Sequence, residues 1–142
     1  MKRTAKAVWA GDLKSGKGRF GLSSGALSDQ PYSFKTRFEN EDGKAGTNPE
    51  ELIAAAHASC FAMQLSAFIA ERGFVADRLE VEAVVTLVPG TGITGSHLVL
   101  VGTVPGMAEA DFVAEAERAK QNCPVSKALA AIDVTLEVSL AG

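Results

Sequence analysis

At 142 residues the chain has the length of about one domain. Hydrophobic residues make up 46% and charged residues 22%, a balance that excludes disordered and collagen-like sequence and supplies a core without disulfide or metal staples. The net charge of −3 argues against a nucleic-acid partner, because neutralising phosphates requires a basic face.

The basic start, Lys2, Arg3 and Lys6, is followed by Asp12, Lys14 and Lys17 rather than by an apolar run, so no signal peptide is expected. Residues Thr4 to Trp9 suit an edge strand. Gly11, Gly16, Gly18, Gly21 and Gly25 mark a turning stretch, with a short strand over Arg19 to Leu22. In Tyr32 to Glu39, Tyr32, Phe34 and Phe38 alternate with Lys35, Arg37 and Glu39, which predicts a strand. Asn40 to Gly46 is a polar loop.

A helix is predicted from Asn48, with Asn48 as N-cap, Pro49 at the first helical position and Glu51 three residues after the cap. Leu52 to Ala70 is apolar nearly all round, so burial on every face is expected until Gly73 stops the helix. It would be about 37 Å long, more than one small chain can cover, which points to an obligate dimer. No charge-free apolar run is expected to span a bilayer. Leu79 to Leu87 and Ser96 to Val104 read as a hairpin turning over Pro89 to Gly95. Glu109 to Gln121 reads as a helix, Pro124 to Ala131 as a short second one, and Ile132 to Leu140 as a final strand. The order predicts one α+β domain over residues 1–142, with a mostly antiparallel sheet packed on helices.

Two cysteines without an export signal are expected to be reduced at rest, as reactive thiols or metal ligands. Cys60 falls mid-helix, where it is either a small core hydrophobe or a thiol that needs a cation from elsewhere, since it lies beyond reach of the helix dipole. Cys123 precedes Pro124 at a helix start, where free amides favour an anion, so by electrostatics alone it is the better thiolate. Arg37 and Arg19 are candidate cations. Glu50 is free to hold an arginine because Glu51 fills the capping role. His57, one turn before Cys60, is either a base or a buried neutral histidine held by hydrogen bonds. A zinc site from His57, Cys60, His97 and Cys123 matches no standard spacing.

The run NPEELIAAAHASCFAM (Asn48 to Met63), with NCPVSKAL (Asn122 to Leu129) downstream, resembles the OsmC/Ohr family of osmotically inducible and organic hydroperoxide resistance proteins. AVWAGDLKSGKG and QPYSFKTRFE resemble its OsmC branch. The resemblance implies an α+β fold in which antiparallel sheets wrap central buried helices in an intertwined homodimer. It implies thiol-dependent reduction of organic hydroperoxides, and more weakly of hydrogen peroxide. By motif match Cys60 is the peroxidatic thiol, Cys123 the resolving one, Glu50 the motif glutamate and Arg37 the arginine of the TRFE segment. The sister branch carries its arginine near the position of Arg19. The implied chemistry is attack of a Cys60 thiolate on the distal peroxide oxygen, a sulfenic acid, and a Cys60–Cys123 disulfide reduced by an external dithiol. No flavin, haem or metal is implied.

Glu50 and Cys60 stand ten residues apart on the predicted helix, about 15 Å along its axis. Arg37 is therefore expected to bridge Glu50 of one chain to Cys60 of the partner subunit. The reading is a cytoplasmic thiol peroxidase without cofactor, nucleic-acid or membrane partner. Its alternative is a member of the same fold that binds small molecules or serves structurally, with inert thiols.

Overall fold

The computed structural model describes residues 1–141. The chain forms two compact units, Met1–Leu52 and the residues from Ile53 onward. Its mixture of sheets and helices is the α+β class that the sequence predicts.

The first unit carries an antiparallel sheet of β1 (Ala5–Ala10), β2 (Lys17–Leu22) and β3 (Gln30–Tyr32), in that spatial order. Every residue of β1 is exposed, in keeping with an edge strand. Tyr32 gathers the aromatic residues of this sheet, with ring centroids 5.5 Å from Trp9 and 6.0 Å from Phe20.

The strand predicted over Tyr32 to Glu39 ends at Tyr32, and Phe34–Phe38 is a short helix, α1. The cause is a capping box: the Ser33 hydroxyl accepts from the Thr36 amide at 3.2 Å, and the Thr36 hydroxyl accepts from the Ser33 amide at 3.0 Å. Phe34 and Phe38 share a face under either period, and in the helix their rings meet at 4.9 Å. Arg37 therefore projects from a helix, not from a strand face.

Helix α2 runs over Pro49–Glu71. Asn48 caps it as predicted, its Oδ1 accepting the Glu51 amide at 2.8 Å. Gly73 ends it with φ +82°, a left-handed turn that allows the Phe74 amide to return to the Ile69 carbonyl at 3.2 Å. Within one chain the burial is one-sided. His57, Phe61, Leu65, Phe68 and Ile69 form one buried stripe, whereas Ala55, Ala56, Ser59, Met63, Ser66, Ala67 and Ala70 are exposed, Met63 to 76%. The expectation that no apolar run could span a bilayer fails on length and composition. The helix reaches a mean hydropathy of 1.6 and is long enough to cross, although its buried stripe is that of a core helix.

The second unit builds its core on a sheet ordered β4 (Arg78–Val88), β5 (Gly92–Thr103) and β6 (Asp133–Leu140). The hairpin turn is tighter than predicted: β5 begins at Gly92, and the pairing shifts register at Thr86/Leu87. The β5–β6 pairing is parallel, because the connection is a long crossover through α3 (Glu109–Asn122) and α4 (Pro124–Ala128). Val81, Leu100 and Val138 stand in one register row and Ala83, Leu98 and Leu136 in the next, with Leu98 and Leu100 in the core and the others packed against it. Phe61, Leu65, Phe68 and Ile69 of α2 and Phe112, Ala116 and Ala119 of α3 complete it. Gly102 is required in β5, since a Cβ there would collide with the buried Phe112 ring.

Candidate active site

The chemistry-bearing residues fall into two groups, one in each unit. In the second unit the Sγ atoms of Cys60 and Cys123 stand 3.0 Å apart. Both thiols are free, Cys60 half-buried and Cys123 fully buried. Cys60 sits one turn after His57 on α2. Cys123 lies at the junction of two helices: its amide closes α3 on the Ala119 carbonyl at 2.8 Å, and its carbonyl accepts the Lys127 amide of α4 at 3.0 Å. Pro124 follows at the first position of α4, where its missing N–H costs nothing.

Burial pushes the Cys60 thiol above its ordinary pKa, and the neighbouring Cys123 thiol adds to the rise. One influence opposes them: the Val125 backbone N–H at the start of α4 favours the Cys60 thiolate. The Cys123 side chain makes no capping hydrogen bond there. The Val125 amide was invisible in the sequence, since a backbone donor has no residue signature.

His57 is fully buried, with Nδ1 at 2.7 Å from Ser96 Oγ and Nε2 at 2.8 Å from Ser126 Oγ. Burial lowers its pKa below 6.5, so the ring is neutral at physiological pH. Of the two readings of His57, the geometry is that of a buried neutral histidine held by hydrogen bonds. Both ring nitrogens of His57 are engaged by hydroxyls, so it presents no vacant nitrogen to zinc, and His97 binds Thr135 Oγ1 through Nδ1 at 2.7 Å. Ser96 and Ser126 were not singled out in the sequence. Ser126 lies within the NCPVSKAL run, three residues after Cys123, but nothing in that run reveals that it meets His57.

In the first unit Arg37 and Glu50 form a forked pair. Arg37 Nη2 donates to Glu50 Oε1 at 2.7 Å, and Nε donates to Oε1 and Oε2 at 3.2 and 3.3 Å. The Glu50 carboxylate is nearly buried, and the guanidinium also lies 5.2 Å from the Phe38 ring centroid. Arg19 is engaged elsewhere: it pairs with Asp29 at 3.1 Å, with both side chains largely exposed. Of the two candidate arginines, Arg37 is the one joined to Glu50. Beside it lies a groove of about 280 Å³ lined by Trp9, Leu13, Phe34, Arg37 and Phe38.

Two thiols in contact can close to a disulfide, and a guanidinium fixed by a carboxylate can present its charge to an anion. Comparison with known proteins adds a second line. A family model described as OsmC-like protein matches residues 41–137. The chain is 44% identical to Peroxiredoxin OsmC of Escherichia coli (strain K12), over 99% of its own length and 97% of that protein. It is 32% identical to an organic hydroperoxide resistance protein of Xanthomonas axonopodis pv. citri (strain 306), over 98% of this chain and 100% of that protein. Among solved structures it is similar to the organic hydroperoxide resistance protein OhrB of Bacillus subtilis, with a TM-score of 0.70, 29% identity and coverage of 96% and 98% of the two chains. An OsmC-like protein from Vibrio cholerae shares the fold at a TM-score of 0.75 and 17% identity, covering 98% of this chain and 99% of that one.

Proposed function

Since the chain belongs to the OsmC-like protein family, we propose that it is a thiol-dependent peroxidase that reduces organic hydroperoxides, with Cys60 as nucleophile. The observation that carries the reading is the 3.0 Å contact between the Cys60 and Cys123 sulfurs in a protein whose relatives are named for peroxide chemistry.

The Cys60 thiolate attacks the distal oxygen of the hydroperoxide. The O–O bond breaks, the departing alkoxide takes a proton and leaves as alcohol, and Cys60 holds the oxygen as a sulfenic acid. The Cys123 sulfur then displaces that oxygen as water and a disulfide forms. An external dithiol returns both thiols by exchange, so two electrons pass from dithiol to peroxide in each cycle. No flavin, haem or metal takes part.

Burial raises the Cys60 pKa, so its thiolate gains from a cation, and Arg37 is the residue we assign to that role. Glu50 takes two of its donor positions and fixes the plane of the guanidinium. Nη1 makes no hydrogen bond among the described residues, and in this reading it meets the thiolate and the peroxide oxygens.

We assign the pair to the Cys60 of the partner subunit. Glu50 and Cys60 stand ten residues apart on α2, about 15 Å along the axis, more than one carboxylate–guanidinium pair spans. An antiparallel second copy of α2 would bring the Arg37–Glu50 pair of one protomer to the Cys60 of its partner. It would also cover the exposed small-residue face around Ser59, Met63 and Ala67. In this homodimer residues 1–142 act as one functional unit in the cytoplasm.

The test is a thiol count before and after one equivalent of an organic hydroperoxide. Loss of two thiols per chain, restored by dithiothreitol, is expected. No loss of thiols would replace the peroxidase with a binding or structural member of the fold.

A further inference from the structure

The peroxidase reading leaves one buried polar group without a task. His57 is completely buried on α2, yet it reaches two other elements: Ser96 on β5 at 2.7 Å and Ser126 on α4 at 2.8 Å. Both serines are themselves buried. A neutral imidazole donates from one nitrogen and accepts at the other, and each hydroxyl can do either, so the chain Ser96–His57–Ser126 is fully satisfied. An apolar residue would serve a core without the desolvation this group requires.

The far end of the chain has a position worth noting in the reaction. Ser126 follows Val125, whose amide favours the Cys60 thiolate, and stands three residues after Cys123, whose sulfur lies 3.0 Å from that of Cys60. All three belong to α4 or its cap. That helix has five residues, too few to hold a position by its own hydrogen bonds. It must be fixed by tethers to its surroundings, and the Ser126–His57 bond ties it to the helix that carries Cys60, one turn away.

We propose that His57 is a positioning residue which, through Ser126, holds the start of α4 against the Cys60 sulfur. The inference rests on the reading of Cys60 as nucleophile and deepens it. The tether acts at two steps. It keeps the Val125 amide on the thiolate, and it keeps the Cys123 sulfur within reach when the disulfide closes. Without it α4 drifts, the thiolate loses its donor, and closure waits on a less frequent geometry.

The experiment uses the full-length protein and three variants: Ser126→Ala, His57→Asn and His57→Gln. The Gln amide nitrogen falls near the position of imidazole Nε2 and can keep the bond to Ser126, whereas the Asn nitrogen falls near Nδ1 and cannot. Circular dichroism and a thermal melt establish folding. Two readouts follow, the pH midpoint of Cys60 thiolate absorbance and the rate of disulfide closure with oxidised dithiothreitol. Neither needs peroxide turnover, so failure of the peroxidase reading and failure of this inference are distinguishable. Ser126→Ala and His57→Asn are expected to titrate at higher pH and to close about tenfold more slowly, the factor for one lost buried hydrogen bond. His57→Gln is expected to lie close to wild type on both. Folded Ser126→Ala protein with the wild-type midpoint and closure rate overturns the proposal, and so does His57→Gln as impaired as His57→Asn. If His57→Asn does not fold, Ser126→Ala and His57→Gln decide the question by the same two readouts.

Discussion

The two units of the chain bury their apolar residues to very different degrees. In the second, β5 presents Ser96, Leu98, Leu100 and Gly102 inward, and Phe61, Leu65 and Phe112 are fully enclosed. In the first, all of β1 is exposed, Val8 to 67%, and Trp9, Leu13, Leu22 and Phe38 also meet solvent. The thiols lie in the well-packed unit and the arginine–carboxylate pair in the thinly covered one. The two sulfurs stand in contact within one chain, whereas the Arg37–Glu50 pair lies among exposed apolar residues; under the proposed function the first half works alone and the second needs a partner.

The largest expected effects test the half that stands alone. Cys60→Ser should lower peroxide consumption to background. Cys123→Ser should still consume about one equivalent and leave an oxidised Cys60, seen as a sulfenic acid by mass spectrometry after trapping. The reverse pattern, with Cys60→Ser reacting and Cys123→Ser inert, would exchange the two roles.

The next effect tests the proposed dependence on a partner. Cys60→Ser protein, which is inactive, and Glu50→Ala protein, slowed about as much as Arg37→Ala, are mixed and allowed to exchange subunits under mild denaturant. Random exchange makes half of the dimers mixed, each with one complete site, so about one quarter of wild-type activity should return. Proven exchange without recovery, or a stable active monomer, would confine the site to one chain.

A smaller effect separates the two arginines. Arg37→Ala should move the Cys60 thiolate titration to higher pH and slow the reaction at neutral pH by about tenfold, because an adjacent cation favours the charged form. Arg19→Ala, which loses only an exposed pair with Asp29, should change either quantity little. If Arg19→Ala had the larger effect, the Arg37–Glu50 pair would be structural.

Much of this was legible in the sequence, for physical reasons that differ by element. α2 announced itself through Asn48, Pro49 and Glu51, because capping chemistry is local and few residues can perform it. The strands β4 and β6 were readable because one face of their sheet is buried, so their side chains alternate strictly. α1 was missed because Phe34 and Phe38 fit both a strand and a helix, and the deciding Ser33–Thr36 box lay unread beneath that alternation. Both cysteines, Arg37 and Glu50 could be named from motifs. The contact between the sulfurs could not, since it joins residues far apart in the chain, nor could the Val125 amide. The cover of α2 was not legible for a different reason. Composition says that a face is apolar, but not whether its cover comes from the same chain.

The smallest expected effect is a pH dependence of stability that belongs to the second unit. Burial holds the His57 pKa below its ordinary value of 6.5, while in the unfolded chain the imidazole titrates normally. Below pH 6.5 the unfolded state therefore binds a proton that the native state resists. More protons bound to the unfolded state means that stability rises with pH, so the contribution of His57 is fully present above 6.5 and is lost as the pH falls toward the depressed native value. His57→Gln keeps a partner for Ser126 but cannot titrate. The thermal midpoint of the wild type should fall more steeply than that of His57→Gln as buffers pass from neutral to mildly acidic, and the two curves should run parallel above neutrality. Curves that stay parallel through the acid range would mean that the imidazole is protonated in the folded protein as readily as in the unfolded chain. The Ser96–His57–Ser126 chain would then be open to water, and the second unit would lose its claim to be the closed half of the molecule.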